Sequence, residues 1–313
     1  MKGQFDHVPV MGREVVELFL PVPTGLIVDA TVGGGGHAAL LLEARSDLRL
    51  LGIDRDADAV TAARQRLSDF GDRAQVVQGR FGELREILSE HEEGNVIGVL
   101  FDLGVSSAQL DRPERGFSYR FDAPLDMRMD AAQLLTAYDV VNGYDEAGLA
   151  WVIARYGEER FAKRIAAAIV AARPIDGTRE LAEIVKTAIP AATRRRGPHP
   201  ARRTFQAIRM EVNQELPNLA DGLDDAVHLV GPGGRVQVLA YHSLEDRMVK
   251  DRFVELSRPA ELPPRLPVRD TGPPAPFLLL GRRAVRPTPA EVEANPRAES
   301  ARLRAVERRR SSE

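Results

Sequence analysis

Leu26-Ile-Val-Asp-Ala-Thr-Val-Gly-Gly-Gly-Gly-His37 is the stretch that decides the fold. A short apolar run (residues 26–30) stops at Thr31. Four consecutive glycines, Gly33 to Gly36, then lead into an apolar helical stretch from Ala38 through Leu42. Glycines placed directly after a strand let a ligand approach the backbone, and the helix that follows presents unpaired N–H groups.

The same punctuation recurs downstream. Residues 48–53 end on Asp54 and precede a helix from about 56 to 67; Val76 and Val77 precede Gly79; residues 96–101 end on Asp102. Apolar runs of strand length separated by helix-length segments predict an α/β fold, a parallel sheet covered on both faces. Ligands of such sheets bind at the carboxyl edge, where Asp54 and Asp102 stand.

The alternation then stops until Arg235. In between, Phe161, Ile165 and Ile169 recur every four residues, and Leu181, Ile184, Val185, Ala188 and Ile189 follow a helical period, with Thr178 as N-cap and Pro190 as stop. Phe205, Ile208, Val212, Leu216, Leu219 and Leu223 extend a long helix that Pro217 should kink or divide. Strand signal resumes over residues 235–240. The pattern predicts a core made of residues 1–110 and 206–313, interrupted by a helical insertion over 111–205. Residues 258–280 are proline-rich and predict a linker or extended arm. Residues 277–280 and 301–306 are expected as late strands, the latter at the sheet edge because arginines alternate along it.

The chain has 313 residues, enough for two domains. With 43% apolar and 28% charged residues it falls outside the disordered and fibrous classes. No apolar run approaches the roughly 18 residues of a membrane span. Asp6, Glu14 and Glu17 interrupt any secretory core, so a cytoplasmic protein with no membrane partner is expected. The absence of cysteine excludes disulfides, thiolate metal sites and a cysteine nucleophile. The six histidines are scattered, and no metal site is expected. Net charge is only −3, yet 39 of the 43 basic residues are arginine, as a GC-rich genome or a phosphate-gripping surface would give.

Two cofactor classes fit the glycine turn. Gly33, Gly35 and Ala38 match the dinucleotide fingerprint, and Asp54 stands 21 residues beyond Gly33, where a ribose-binding carboxylate belongs. S-adenosylmethionine is the other candidate, and Asp29 favours it, since a carboxylate suits an ammonium group and repels a pyrophosphate. Asp54 reads as a bidentate ribose acceptor or as an N-cap for the next helix. Phe81 reads as an adenine neighbour or a core residue, and His37 as a ligand contact or a plain helix residue. Arg194-Arg-Arg-Gly-Pro-His-Pro-Ala-Arg-Arg203 holds five arginines and no acid. Thr204 offers a possible cap and Arg209 stands beyond it, so the segment reads as an RNA phosphate edge (Arg194, Arg195, Arg196, Arg202, Arg203) or a solvated loop.

These residues, together with His7, Gly52-Ile-Asp-Arg-Asp56 and Asp102-Leu-Gly-Val-Ser-Ser107, resemble the MraW-type bacterial 16S ribosomal RNA cytosine-N4 methyltransferases. Arg115-Gly-Phe-Ser118, Pro124-Leu-Asp-Met-Arg-Met-Asp130, Tyr156-Gly-Glu-Glu-Arg-Phe-Ala-Lys-Arg-Ile165, Arg203-Thr-Phe-Gln-Ala-Ile-Arg209, His242-Ser-Leu-Glu-Asp-Arg247 and Asn295-Pro-Arg-Ala298 extend the resemblance over nearly the whole chain. It implies a class I S-adenosylmethionine-dependent methyltransferase, Rossmann-like with a mostly parallel sheet and an inserted all-helical domain. The implied substrate is a cytosine of the decoding region, presented within the small ribosomal subunit. The cofactor would lie over Gly34, Gly35, Gly36 and His37, with Asp54, Phe81, Asp102 and Gln109 lining its site. Asp102-Leu-Gly-Val replaces the Asp/Asn-Pro-Pro-aromatic sequence common among DNA amino-methyltransferases, which leaves the contact to the target amine open. Asp102 or Ser106 is the candidate acceptor. A nicotinamide-dependent oxidoreductase and a non-catalytic RNA-binding assembly factor remain the competing readings, and a homodimer is compatible with the sequence.

Overall fold

The apolar runs become strands because almost every residue in them is buried. All four residues of β1 (Leu26–Asp29) and the first six of the seven-residue strand at Val96–Asp102 are buried. The computed structural model describes residues 9–91, 94–105, 112–194, 199–259 and 274–310. The elements up to that strand are α1 (Gly12–Phe19), β1, α2 (Gly36–Ala44), β2 (Arg49–Asp54), α3 (Ala57–Leu67), β3 (Ala74–Gln78), α4 (Leu84–Glu90) and β4 (Val96–Asp102). Helices α5 (Ala137–Gly143), α6 (Glu146–Gly157), α7 (Ala162–Ala172), α8 (Thr178–Ala188), α9 (Ala191–Arg194), α10 (Arg202–Asn213) and α11 (Glu215–Leu229) follow. Then come β5 (Arg235–Ala240), α12 (Ser243–Leu256), β6 (Phe277–Leu279), α13 (Pro289–Ala294) and β7 (Arg302–Arg308).

The strands form one sheet in the order β3-β2-β1-β4-β5-β7-β6. Strands β1 to β5 are mutually parallel, and β7 lies antiparallel between β5 and β6. This is the Rossmann-like, mostly parallel arrangement of class I methyltransferases. Both faces are covered. Leu26 and Val28 pack with Leu219 and Leu223 of α11 and Phe253 of α12, while Ile27 packs with Val15, Phe19, Leu41 and Val60 of α1, α2 and α3.

The edge position expected for residues 301–306 does not hold. Strand β7 pairs on both sides, and its alternation reflects two faces: Leu303 and Ala305 are buried, whereas Arg302 and Arg304 grip Asp246 of α12 at 2.6 and 2.7 Å.

The chain divides into two compact units, Met1–Gly104 with Pro217–Glu313, and Val105–Leu216. The second is helical and has its own core of Val140, Leu149, Ile153, Ile165, Ile169, Leu181 and Val185. It extends past residue 205 because Phe205, Ile208 and Val212 of α10 belong to that core. Helix α10 ends where Gln214 turns left-handed (φ 49°), and Pro217 sits in the first turn of α11, where a missing N–H costs nothing. Two expected caps are replaced. Gly177, not Thr178, caps α8; the buried Thr178 hydroxyl donates to Phe121 O at 2.7 Å. Ala201, not Thr204, caps α10, and Thr204 is buried within it.

Candidate active site

The sheet order reverses between β1 and β4, so the carboxyl ends of β2, β1 and β4 border one crevice. Register gives that edge a step. Asp29 pairs with Gly52 and with Leu100, so Asp54 and Asp102 each reach two residues beyond it. Asp29 therefore stands recessed, 1% exposed, between two half-buried carboxylates.

The glycine turn makes the crevice approachable. Gly33 and Gly35 take positive φ (50° and 78°), a conformation that suits glycine. Gly35 is the N-cap of α2 and offers no side-chain acceptor, which leaves the leading N–H groups of that helix for another partner. The Gly33 N–H donates to Asp54 Oδ2 and the Asp56 N–H to Oδ1, both at 2.9 Å. The capping role once open to Asp54 belongs instead to Asp56, which caps α3 by accepting from Asp58 N–H.

Burial dominates the electrostatics. It pushes Asp29 up to about 8, opposed by the Thr31 N–H and reinforced by Asp102 and Asp54. It raises Asp54 to about 6 against the N–H groups of Asp56 and Gly33. Asp102 is also raised by burial, with His37 and the Tyr241 hydroxyl acting the other way. Among the described residues, no arginine or lysine ion pair reaches any of the three. The His37 Nε2–H donates to Val10 O at 2.9 Å, and its Nδ1 lies 3.6 Å from Asp102 Oδ2.

Of the residues expected from sequence, Gly34, Gly35, Gly36, His37, Asp54 and Asp102 come together at this edge. Phe81 follows β3 at the same end of the sheet. It is half-buried, its ring edge-on to Phe101 at 5.7 Å. Ser106 and Gln109 lie outside the described residues. Two contributors were missed. The Thr31 hydroxyl accepts from the Asp102 N–H at 2.6 Å, and the Tyr241 hydroxyl donates to Asp102 Oδ1 at 2.7 Å. Tyr241 directly follows β5, and a strand end is the signal that could have found it.

The arginine edge is only partly described. Arg195 and Arg196 lie outside the described residues, as does the side chain of Arg194. Arg202 is exposed. Arg203 is 58% exposed and donates to Glu158 O at 3.1 Å. Arg209 is committed inward, forked onto Glu215 at 2.7 and 2.8 Å.

A crevice lined by three carboxylates, with no arginine or lysine ion pair to them among the described residues, fits a ligand that carries positive charge and disfavours a pyrophosphate. The MraW methylase family matches this sequence over residues 4–309. The chain belongs to that family. The methylase relatives include a ribosomal RNA small subunit methyltransferase H of Symbiobacterium thermophilum, 51% identical over 306 residues and covering 96% of each chain. Another, of the same description, from Acidothermus cellulolyticus is 52% identical, covering 98% of this chain and 94% of that one. The cofactor of this methylase is S-adenosylmethionine, whose ammonium and sulfonium supply the positive charge the crevice lacks. That removes the nicotinamide alternative.

Proposed function

We propose that this chain methylates the exocyclic N4 of a cytosine in the decoding region of 16S ribosomal RNA, in the cytoplasm and within the small ribosomal subunit. The observation that carries the reading is the trio of strand-end carboxylates, Asp29 buried and Asp54 and Asp102 half-buried, all raised by burial and without an arginine or lysine ion pair among the described residues. The names of the relatives support the RNA substrate. Asp29 would take the ammonium group. Asp54 has one backbone N–H on each oxygen and keeps lone pairs for the ribose hydroxyls. The turn at Gly34, Gly35, Gly36 and His37 would cradle the cofactor, and Phe81 would flank the adenine.

When bound, S-adenosylmethionine supplies an electrophilic methyl group, which bonds to the nitrogen pair as its bond to sulfur breaks onto sulfur. The difficulty lies in the amine, whose lone pair is delocalised into the cytosine ring. Asp102 would accept an N4–H, turn the amine toward the methyl carbon, and take up its surplus proton. Burial raises Asp102 and so favours that uptake. Holding reacting atoms about 3–3.5 Å apart supplies much of the rate. A paired or stacked cytosine must be extruded first. The helical unit would recognise the surrounding RNA, with Arg194, Arg195, Arg196, Arg202 and Arg203 contacting phosphates.

The test is incubation of the protein with methyl-labelled cofactor and unmethylated small subunits, followed by nucleoside mass spectrometry. Label in N4-methylcytidine is expected. Label in another nucleoside, or none in RNA, overturns the assignment.

A further inference from the structure

Asp102 is held from two directions and faced from a third. Its N–H is fixed by Thr31 beyond β1, its Oδ1 by the Tyr241 hydroxyl beyond β5, and its Oδ2 faces the His37 ring without a hydrogen bond. The His37 Nε2–H is spent on Val10 O, and its Nδ1, 3.6 Å from Oδ2, stands beyond hydrogen-bond reach. Tyr241 is therefore the one side chain among the described residues that donates to this carboxylate, and Oδ2 keeps its lone pairs. The tyrosine is itself well held. Its N–H donates to the buried Glu245 carboxylate, which forms the capping box of α12 with His242, and its ring lies against Gly104, where φ is 101°.

The geometry points to Tyr241 as the positioning residue that fixes the Asp102 carboxylate so that Oδ2 is presented to the target amine. This rests on the reading of Asp102 as the amine acceptor. A carboxylate on a single side-chain bond otherwise turns freely about that bond, and an acceptor that turns does not orient its donor. The phenol keeps its proton across the working range, because burial and the nearby Asp102 and Glu245 charges hold its pKa well above the usual value. The bond thus persists while Asp102 changes protonation.

The titratable groups facing Asp102 are His37 on α2, Asp29 on β1, and Tyr241 with Glu245 on the β5–α12 side. Removing the hydroxyl takes away a bond that favours the Asp102 carboxylate. In Tyr241→Phe the carboxyl titration of Asp102, followed by carbon NMR in the ligand-free protein, should move to higher pH. The acidic limb of the kcat profile should move with it, and kcat should fall roughly 10- to 100-fold, the scale of one charged hydrogen bond, with cofactor Kd unchanged. Incorporating 3-fluorotyrosine at position 241, a stronger donor of nearly the same shape, should move the titration to lower pH and serves if the phenylalanine variant does not fold. An unshifted Asp102 titration, or a loss confined to cofactor Kd, overturns the proposal. A wild type that methylates no RNA removes the reaction, yet the NMR titration still decides the Tyr241–Asp102 link.

Discussion

The helical unit and the carboxyl edge of the sheet treat buried charge in opposite ways. In the helical unit, charged groups away from solvent are answered locally. Arg209 forks onto Glu215, the pair 15% and 9% exposed, and Arg128 forks onto Asp126 at 2.9 and 2.8 Å. At the strand ends, Asp29, Asp54 and Asp102 are raised by burial, and among the described residues no arginine or lysine ion pair answers them. A paired charge can be kept for the fold alone, whereas an unpaired buried one costs stability until a ligand arrives. The contrast separates residues that hold the molecule together from residues that wait for a partner.

Breaking a pair should show the largest effect. Arg209→Leu strands a nearly buried Glu215 carboxylate and should destabilise the protein by roughly 3 kcal/mol, read by urea unfolding. A loss near zero would erase the contrast. Asp102→Asn should do the reverse, leaving unfolding unharmed while methyl transfer falls at least ~100-fold, the lower range for a lost general base, measured in single-turnover assays. Asp54→Ala should weaken cofactor binding by about 1.5–3 kcal/mol in calorimetry with the fold intact.

Asp29 sharpens the comparison through pH. Its carboxyl is raised from about 3.9 in the unfolded chain to about 8 in the ligand-free fold. The folded state therefore binds the extra proton, and stability is greatest below the unfolded value and declines as pH rises toward 8. Asp29→Asn should flatten that decline in thermal melts across pH 4 to 8; an unchanged slope would mean the carboxylate is answered after all. The smallest effect belongs to the exposed arginines. Arg202→Ala with Arg203→Ala should flatten the salt slope of RNA binding by roughly one to two units and leave cofactor affinity level.

The strand ends were legible because an apolar run that stops on a carboxylate before glycine permits few other readings. Residues 26–37, Asp54 and Asp102 declared themselves in this way. What joins them did not. Tyr241 is 139 residues from Asp102, and nothing local in either segment announces their bond. Strand β7 was placed at the edge because arginine alternation looks the same whether the far face meets water or an acid, and Asp246, which decides the matter, lies 56 and 58 residues away. The Arg209–Glu215 pair was closer at hand but crosses a helix break at Gln214, where helical spacing rules do not reach.

The parallel pairing of β4 with β5 has a consequence for how such a chain can change. The backbone leaves the sheet at Asp102 and returns at Arg235, yet Asp102 pairs with Leu239, and the Leu103 N–H donates to Leu239 O at 3.0 Å. Tyr241 meets Asp102 because of that seam, whatever the length of chain spliced between the two strands. The seam insulates the chemistry from the insertion. Helices can be lengthened, trimmed or exchanged there over evolutionary time while Asp102 and Tyr241 stay in register.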